Sequence, residues 1–260
     1  MPIRNWSNFI GGRVGLITGS GAGVGRAIAM HMGRAGAEIW INDVDLGRAE
    51  SVVAEIEAEG GKARPVIADV CDPASVQEMA RTTGPLDILV NNAGSGLRAF
   101  ADRTVSYTTF AESEALDWEP VMRVNLTGVL HVTHAYVGDM IERGWGRILT
   151  IVSDAGRKGE RRQVVYGAAK AAAMGFSRGL AAEVGRKGVT VNCISLGTIR
   201  HGPAAEMSDE QDARIAAVYP VGRLGRVDDP APLAVMLCSD AAEWITGQVY
   251  PVDGGYAPAL

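Results

Sequence analysis

Residues 13–36 read RVGLITGSGAGVGRAIAMHMGRAG, and this stretch decides the fold. An apolar run, 13–18, breaks into Thr18-Gly19-Ser20-Gly21-Ala22-Gly23-Val24-Gly25 and then into a helical pattern over 24–35. Glycine lets the backbone turn sharply and come close to a bulky anion. A helix amino end offers unpaired N–H groups and a partial positive charge to the same anion. Strand, glycine loop and helix in that order suit a pyrophosphate, with Gly19, Gly23, Val24 and Gly25 forming the cradle. A merely structural turn would not need the acid that follows. Asp43 closes the next apolar run, AEIWIND, 18 residues beyond Gly25, where a carboxylate can accept hydrogen bonds from an adenosine ribose. The loop between Thr18 and Gly25 has no Arg or Lys, and Val44 follows the acid. A 2′-phosphate would meet Asp43 as a like charge, at a cost of up to about 4 kcal/mol for ~4 Å and an effective dielectric of ~20. NAD is therefore expected over NADP.

Outward from this unit, strand-like runs at 37–42, 63–68, 86–90, 147–152, 189–194 and 248–252 alternate with helical patterns. The helices are expected near 46–59, 73–82, 118–142, 164–186 and 229–239. Near-continuous apolar strands suit a parallel sheet buried on both faces. The pattern predicts a Rossmann-like, doubly wound α/β fold of about seven parallel strands with helices on both faces. No Pro/Gly/Ser-rich linker or repeat divides the 260 residues, so 1–260 is read as one domain. The irregular stretches 95–117 and 195–222 follow strands and belong at the carboxyl edge of the sheet, where such folds bind ligands.

Bulk properties narrow the function. The formal charge of −5 and the lack of a basic face argue against nucleic acid and anionic membranes. No run approaches the roughly 20 apolar residues of a membrane span, and the start MPIRNWSNFIGG lacks the apolar core of a signal peptide. Cys71, Cys193 and Cys238 are odd in number and widely spaced, which suits free thiols in a reducing, cytoplasmic setting. His31, His131 and His134 read as ordinary helix residues, and no metal site is expected.

Tyr166-Gly167-Ala168-Ala169-Lys170 opens a helix rich in small residues, and the spacing of four puts phenol and ammonium on one face. Proton exchange near neutral pH needs the phenol lowered by up to ~3 units from ~10, about 4 kcal/mol. A nearby Lys cation and an oxidised nicotinamide ring both act in that direction. Ser153 ends the fifth strand, where its hydroxyl could hold a substrate oxygen as charge develops.

With these motifs in order, the chain resembles the short-chain dehydrogenase/reductase family over essentially its whole length. The matches are the Thr18–Gly25 loop, Asp69-Val70, Asn91-Asn92-Ala93-Gly94, Asn125, Ser153, Tyr166-x-x-x-Lys170 and Val252-Asp253-Gly254-Gly255. The resemblance implies that Asp69 and Val70 border the adenine, that Asn91 sits beside the adenosine and that Gly94 also binds the cofactor. Lys170 would also bind the nicotinamide ribose, Asn125 would hold a water leading to Lys170, and the Ile199 backbone would meet the carboxamide. Tyr166 would be general acid in reduction and general base in oxidation, with hydride passing between nicotinamide and carbon. The expected reaction interconverts a secondary alcohol and a ketone. A reductase of 3-oxoacyl thioesters, on coenzyme A or acyl-carrier protein, is the variant within the class, and a non-catalytic dinucleotide sensor is the rival outside it.

The sequence departs from the family in two places. His201 stands where a Thr is usual after the sixth strand, and Gly94 to Asn125 is about nine residues longer than in compact members. The added segment 97–112, with Leu97, Phe100, Tyr107 and Phe110, is expected to wall the substrate pocket. Arg157, Lys158, Arg161 and Arg162 precede Tyr166 and form either a solvated loop or a rim that attracts an anionic handle such as that of a coenzyme A thioester. The 195–222 region is expected to be a substrate lid. The small-residue helix 164–186, helix 118–142 and the C-terminal segment are expected to form the contacts of a homotetramer, as the family usually does.

Overall fold

The computed structural model describes residues 8–94, 109–201 and 208–257. Seven parallel strands form one sheet in the order β3-β2-β1-β4-β5-β6-β7. They are β1 (Val14–Ile17), β2 (Glu38–Asp43), β3 (Lys62–Ile67), β4 (Ile88–Asn91), β5 (Gly146–Ser153), β6 (Val189–Leu196) and β7 (Val249–Val252). The expected doubly wound sheet is present, with each strand within a residue or two of its predicted place. Strand order reverses between β1 and β4, so the crevice at their carboxyl ends is the place where a ligand can enter.

The helices are α1 (Gly23–Arg34), α2 (Leu46–Ala58), α3 (Pro73–Thr83), α4 (Ala115–Met122), α5 (Gly128–Arg143), α6 (Val164–Val184), α7 (Asp209–Ala216) and α8 (Ala231–Leu237). On one face Ile28, Met32, Ile56 and Val235 pack on Ile17, Ile39 and Val90. On the other, Met79, Tyr136, Met140 and Val184 pack on Leu16, Leu89 and Ile148. Continuous apolar strands are thus covered on both sides. Helix starts follow local chemistry. Asp45 caps α2 by accepting from the Arg48 amide at 2.9 Å, and Asp72 caps α3, whose first residue is Pro73.

The segment predicted as one helix over 118–142 is not continuous. Between α4 and α5 the backbone widens into a π-helical turn over Arg123–Thr127, closed by a bond from the Gly128 amide to the Arg123 carbonyl. Pro120 removes one helical donor from α4, and the side-chain amide of Asn125 donates to the Val121 carbonyl at 3.0 Å. Periodicity alone does not register an extra residue in a turn. Gly128 then lets α5 approach the β3–α3 connection, because a Cβ there would lie 2.8 Å from Cγ2 of Val70.

Candidate active site

The glycine loop leaves β1 at Thr18 and is held from β4. The amides of Asn92 and Ala93 each donate to Oγ1 of Thr18 at 3.0 Å, and the Asn92 side chain donates to the carbonyls of Thr18 and Gly19. Gly19 and Gly23 have φ of +60° and +58°, a region where a side chain is strained, and a Cβ on Gly19 would lie 2.9 Å from Cα of Ala93. The N-cap of α1 is Ala22, which makes no side-chain capping bond, and the first turn has no acidic residue. Its amides are therefore left for an external anion, and the cradle fits a dinucleotide pyrophosphate. The His201 ring lies against Gly23, so His201 borders this loop.

Asp43 ends β2 with its carboxylate buried beside the loop. Oδ2 accepts from the Gly21 amide at 3.2 Å, and Oδ1 accepts from the Asp45 amide at 3.1 Å. Oδ1 also accepts from the guanidinium of Arg48 at 2.8 Å. That cation was missed in the sequence because it lies five positions on, in the first turn of α2. The Asp45 cap turns it back toward Asp43. The other residues expected on the adenosine side occupy the adjacent strand ends. Asp69 is exposed and accepts from the Cys71 amide, while Val70 is buried. Asn91 is buried at the end of β4 and donates to Thr133 at 3.0 Å, and its Oδ1 has no partner among the described residues.

At the carboxyl end of β5, Ser153, Tyr166, Lys170, Asn125 and Gly94 converge. The Tyr166 phenol is hydrogen-bonded with the Ser153 hydroxyl, whose Oγ also accepts from the Ala155 amide at 3.2 Å. Lys170 is buried, donates from Nζ to the Ile151 carbonyl at 3.0 Å, and lies 5.8 Å from the centroid of the Tyr166 ring. A Cβ on Gly94 would meet Oδ1 of Asn125 at 2.8 Å and Nζ of Lys170 at 3.2 Å, so those two polar atoms share one small space. The π turn is what carries Asn125 there. Burial pushes the Tyr166 phenol above its ordinary value; its bond with Ser153 acts downward and the charge of Glu160 upward. Burial lowers the Lys170 ammonium to about 8, with Cys193 acting in the opposite sense.

After β6, Ile199 forms a parallel bridge with Gly225, fixed by Arg200 N to Gly225 O at 2.8 Å and Gly225 N to Thr198 O at 3.0 Å. Residues 208–216, expected as irregular, contain α7, started by a capping box between Ser208 and Gln211. Asp212 of α7 is ion-paired with Arg200.

The four cations before Tyr166 separate into two kinds. Arg157 donates to Asp154 at 2.9 Å and lies 3.6 Å from Asp253, and Lys158 sits 3.3 Å over the Tyr256 ring. Ser195 also donates to Asp154, at 2.5 Å, so this buried cluster ties the Ser153 loop to the C-terminal Val252–Gly255 segment. Arg161 and Arg162 remain exposed. Of the expected apolar wall, Phe110 stacks on Trp118 with centroids 5.1 Å apart, whereas Leu97, Phe100 and Tyr107 lie outside the described residues.

Comparison with known proteins agrees with this architecture. Residues 19–257 match the family model described as enoyl-(acyl carrier protein) reductase. The chain is 40% identical over 248 residues, 94% of its length and 96% of the relative's, to the (2S)-[(R)-hydroxy(phenyl)methyl]succinyl-CoA dehydrogenase subunit BbsD of Thauera aromatica. A 3-oxoacyl-[acyl-carrier protein] reductase from Brucella melitensis, solved with bound NAD, superimposes with a TM-score of 0.89 at 31% identity, over 97% of this chain and 94% of that one. A gluconate 5-dehydrogenase from Burkholderia cenocepacia, in complex with NADP and tartrate, gives 0.87 at 32% identity, over 98% and 99%. A seven-stranded parallel sheet, the ordered motifs and these relatives lead to one conclusion: the chain belongs to the short-chain dehydrogenase/reductase family and is an NAD(P)-dependent oxidoreductase that interconverts alcohols and carbonyls.

Proposed function

We propose that the chain is an NAD-preferring dehydrogenase/reductase acting on a secondary alcohol/ketone pair carried by an acyl thioester. The observation that carries the chemistry is the convergence of Ser153, Tyr166, Lys170 and Asn125 at one strand end. Ser153 would hold the substrate oxygen and Tyr166 would give or take its proton. Lys170 would orient a ribose and favour the phenolate, and Asn125 would lead that proton path toward solvent. A bound nicotinamide dinucleotide would supply the hydride acceptor or donor. On its adenosine side Gly19, Gly23, Val24 and Gly25 would cradle the pyrophosphate, with Asp43, Asp69, Val70 and Asn91 around the nucleoside, while Gly94, beside Lys170, would also touch the cofactor. The Ile199 amide would meet the carboxamide. The chain would work as a single unit, its 195–222 region closing over substrate.

Asp43 supports NAD over NADP, since its carboxylate is buried where a 2′-phosphate would approach. In the wild type kcat/KM should favour NAD, and Asp43→Ala should shift the ratio toward NADP about tenfold or more. A wild type that favours NADP would remove this assignment.

Two features favour the thioester. The 40% identical relative is by name a dehydrogenase subunit for a hydroxy(phenyl)methyl-substituted succinyl-CoA, and Arg161 and Arg162 are exposed cations five and four residues before Tyr166. Arg157 is committed to Asp154 and Asp253 and the exposed Lys158 to the Tyr256 ring, so Arg161 and Arg162 are the pair to test as an anion-attracting rim. Each exposed contact is worth only about 0–1 kcal/mol, so the pair should be changed together. The Arg161→Ala/Arg162→Ala variant should raise KM about threefold to tenfold for a hydroxyacyl-CoA and leave that for the free alcohol analogue alone. The difference should grow at low salt. Equal effects on both substrates would return the rim to an ordinary solvated loop.

In quaternary terms we propose a homotetramer built partly on α6. Its Ala168, Gly175, Gly179 and Ala182 are exposed, and a Cβ at Gly175 or Gly179 would touch nothing within 4 Å. The three cysteines are free thiols, which suits a cytoplasmic enzyme.

A further inference from the structure

We infer that Arg48 is a second determinant of cofactor choice, and that it lets this chain accept a 2′-phosphate despite Asp43. The inference rests on the dinucleotide reading of the glycine loop. A carboxylate has about four acceptor positions. Three on Asp43 are already taken, by the amides of Gly21 and Asp45 and by the guanidinium of Arg48. One position on Oδ2 remains for a ribose hydroxyl. For both ribose hydroxyls to bond to Asp43, Arg48 must release Oδ1.

Arg48 is well placed to do either. Its side chain is about half exposed, 52% against 9% for Asp43, so the guanidinium meets solvent on the side away from the carboxylate. Its stem is fixed at the loop, because a Cβ on Gly21 would fall 2.8 Å from Cβ of Arg48 and 2.6 Å from Oδ2 of Asp43. Asp45 holds its backbone through the cap at 2.9 Å and stands 4.0 Å from Nε. One N–H of Nη2 is spent on Asp43; its second N–H and Nη1 leave one parallel pair that can bond two phosphate oxygens, which an ammonium could not do in the same planar way. The cation also offsets the carboxylate that a dianionic phosphate would otherwise face. Asp43 alone would reject NADP; Asp43 with Arg48 discriminates weakly. The NAD preference is held to less than about tenfold.

Adenosine 5′-monophosphate and adenosine 2′,5′-bisphosphate differ only in the 2′-phosphate and need neither nicotinamide nor turnover. Their dissociation constants, measured by calorimetry on the intact protein, isolate this contact. The wild type should bind the two within a factor of ten. Arg48→Ala should weaken the bisphosphate at least tenfold while the monophosphate holds or tightens up to threefold, because an acceptor on Asp43 is released. Arg48→Lys should recover part of the bisphosphate affinity. Equal weakening of both ligands would make Arg48 a scaffold of the loop and overturn the inference, as would hundredfold discrimination against the bisphosphate in the wild type. If the wild type binds neither ligand, the dinucleotide reading fails, and the inference with it.

Discussion

Tyr166→Phe should lower kcat about a thousandfold and leave the dissociation constant for NAD within threefold of the wild type. General acid–base groups are worth typically 10²–10⁴ in rate, and this substitution removes one oxygen without disturbing a ring. The phenol is the group that Ser153 touches directly, and it sits on the helical face that presents Lys170. Burial and the Glu160 charge raise its pKa, so without help it would be a poor base at neutral pH. Help comes from two sides. The Ser153 hydroxyl acts downward through its hydrogen bond, and Lys170, lowered to about 8 and so still mainly cationic at pH 7, would favour the phenolate as a charge near the ring. Rapid single-turnover measurement separates the chemical step from release. A variant with wild-type rates would remove Tyr166 from proton transfer, and one that also lost NAD would show a structural defect instead.

The glycine loop, the alternation of strands and helices and the Tyr166–Lys170 face were legible because each depends on short-range spacing. A strand that ends in Gly-x-Gly leaves the chain few options, and a separation of four on a helix fixes two side chains to one side. What escaped depends on geometry that a linear pattern does not carry. The π turn at Arg123–Thr127 adds one residue to a helical repeat without a break in hydrophobicity, yet it is what places Asn125 against Lys170. Arg48 looks like a surface residue of α2 until the Asp45 cap turns it onto Asp43. The cation run before Tyr166 looked uniform, although Arg157 is committed to two carboxylates and Arg162 is exposed with φ +63°. The polar 208–216 stretch hid α7, whose Asp212 is anchored by Arg200. Arg157 and Asp212 are settled by partners distant in the chain, Asp253 and Arg200, whereas the caps at Asp45 and Ser208 are local signals that hydrophobic periodicity does not register.

Lys170→Met is expected to abolish turnover and yet raise stability at neutral pH. Only 5% of Lys170 is exposed, and among the described residues Nζ donates to one carbonyl, that of Ile151. Burial opposes the charged form, and the ammonium falls from its ordinary 10.5 to about 8 in the folded chain. The unfolded chain therefore binds more proton between pH 8 and 10.5, and stability rises with pH across that window. Below pH 8 the full penalty is present, about 3 kcal/mol at most for a shift of this size. Methionine keeps much of the volume and removes the charge, so the variant should gain about 1–3 kcal/mol at pH 7, after the lost hydrogen bond is counted. The advantage should shrink as pH rises from 8 toward 10.5, since the wild type sheds its proton there. Urea unfolding of both proteins, at one fixed protomer concentration and a series of pH values, gives the comparison. Removing the ammonium should also weaken NAD binding at least tenfold, which separates this residue from Tyr166. A variant less stable at pH 7, or a gain that does not change with pH, would mean that Lys170 is not a buried charge held at a cost for function. The expected pattern would instead mark it as a group whose burial is kept because the active site needs a cation beside Tyr166.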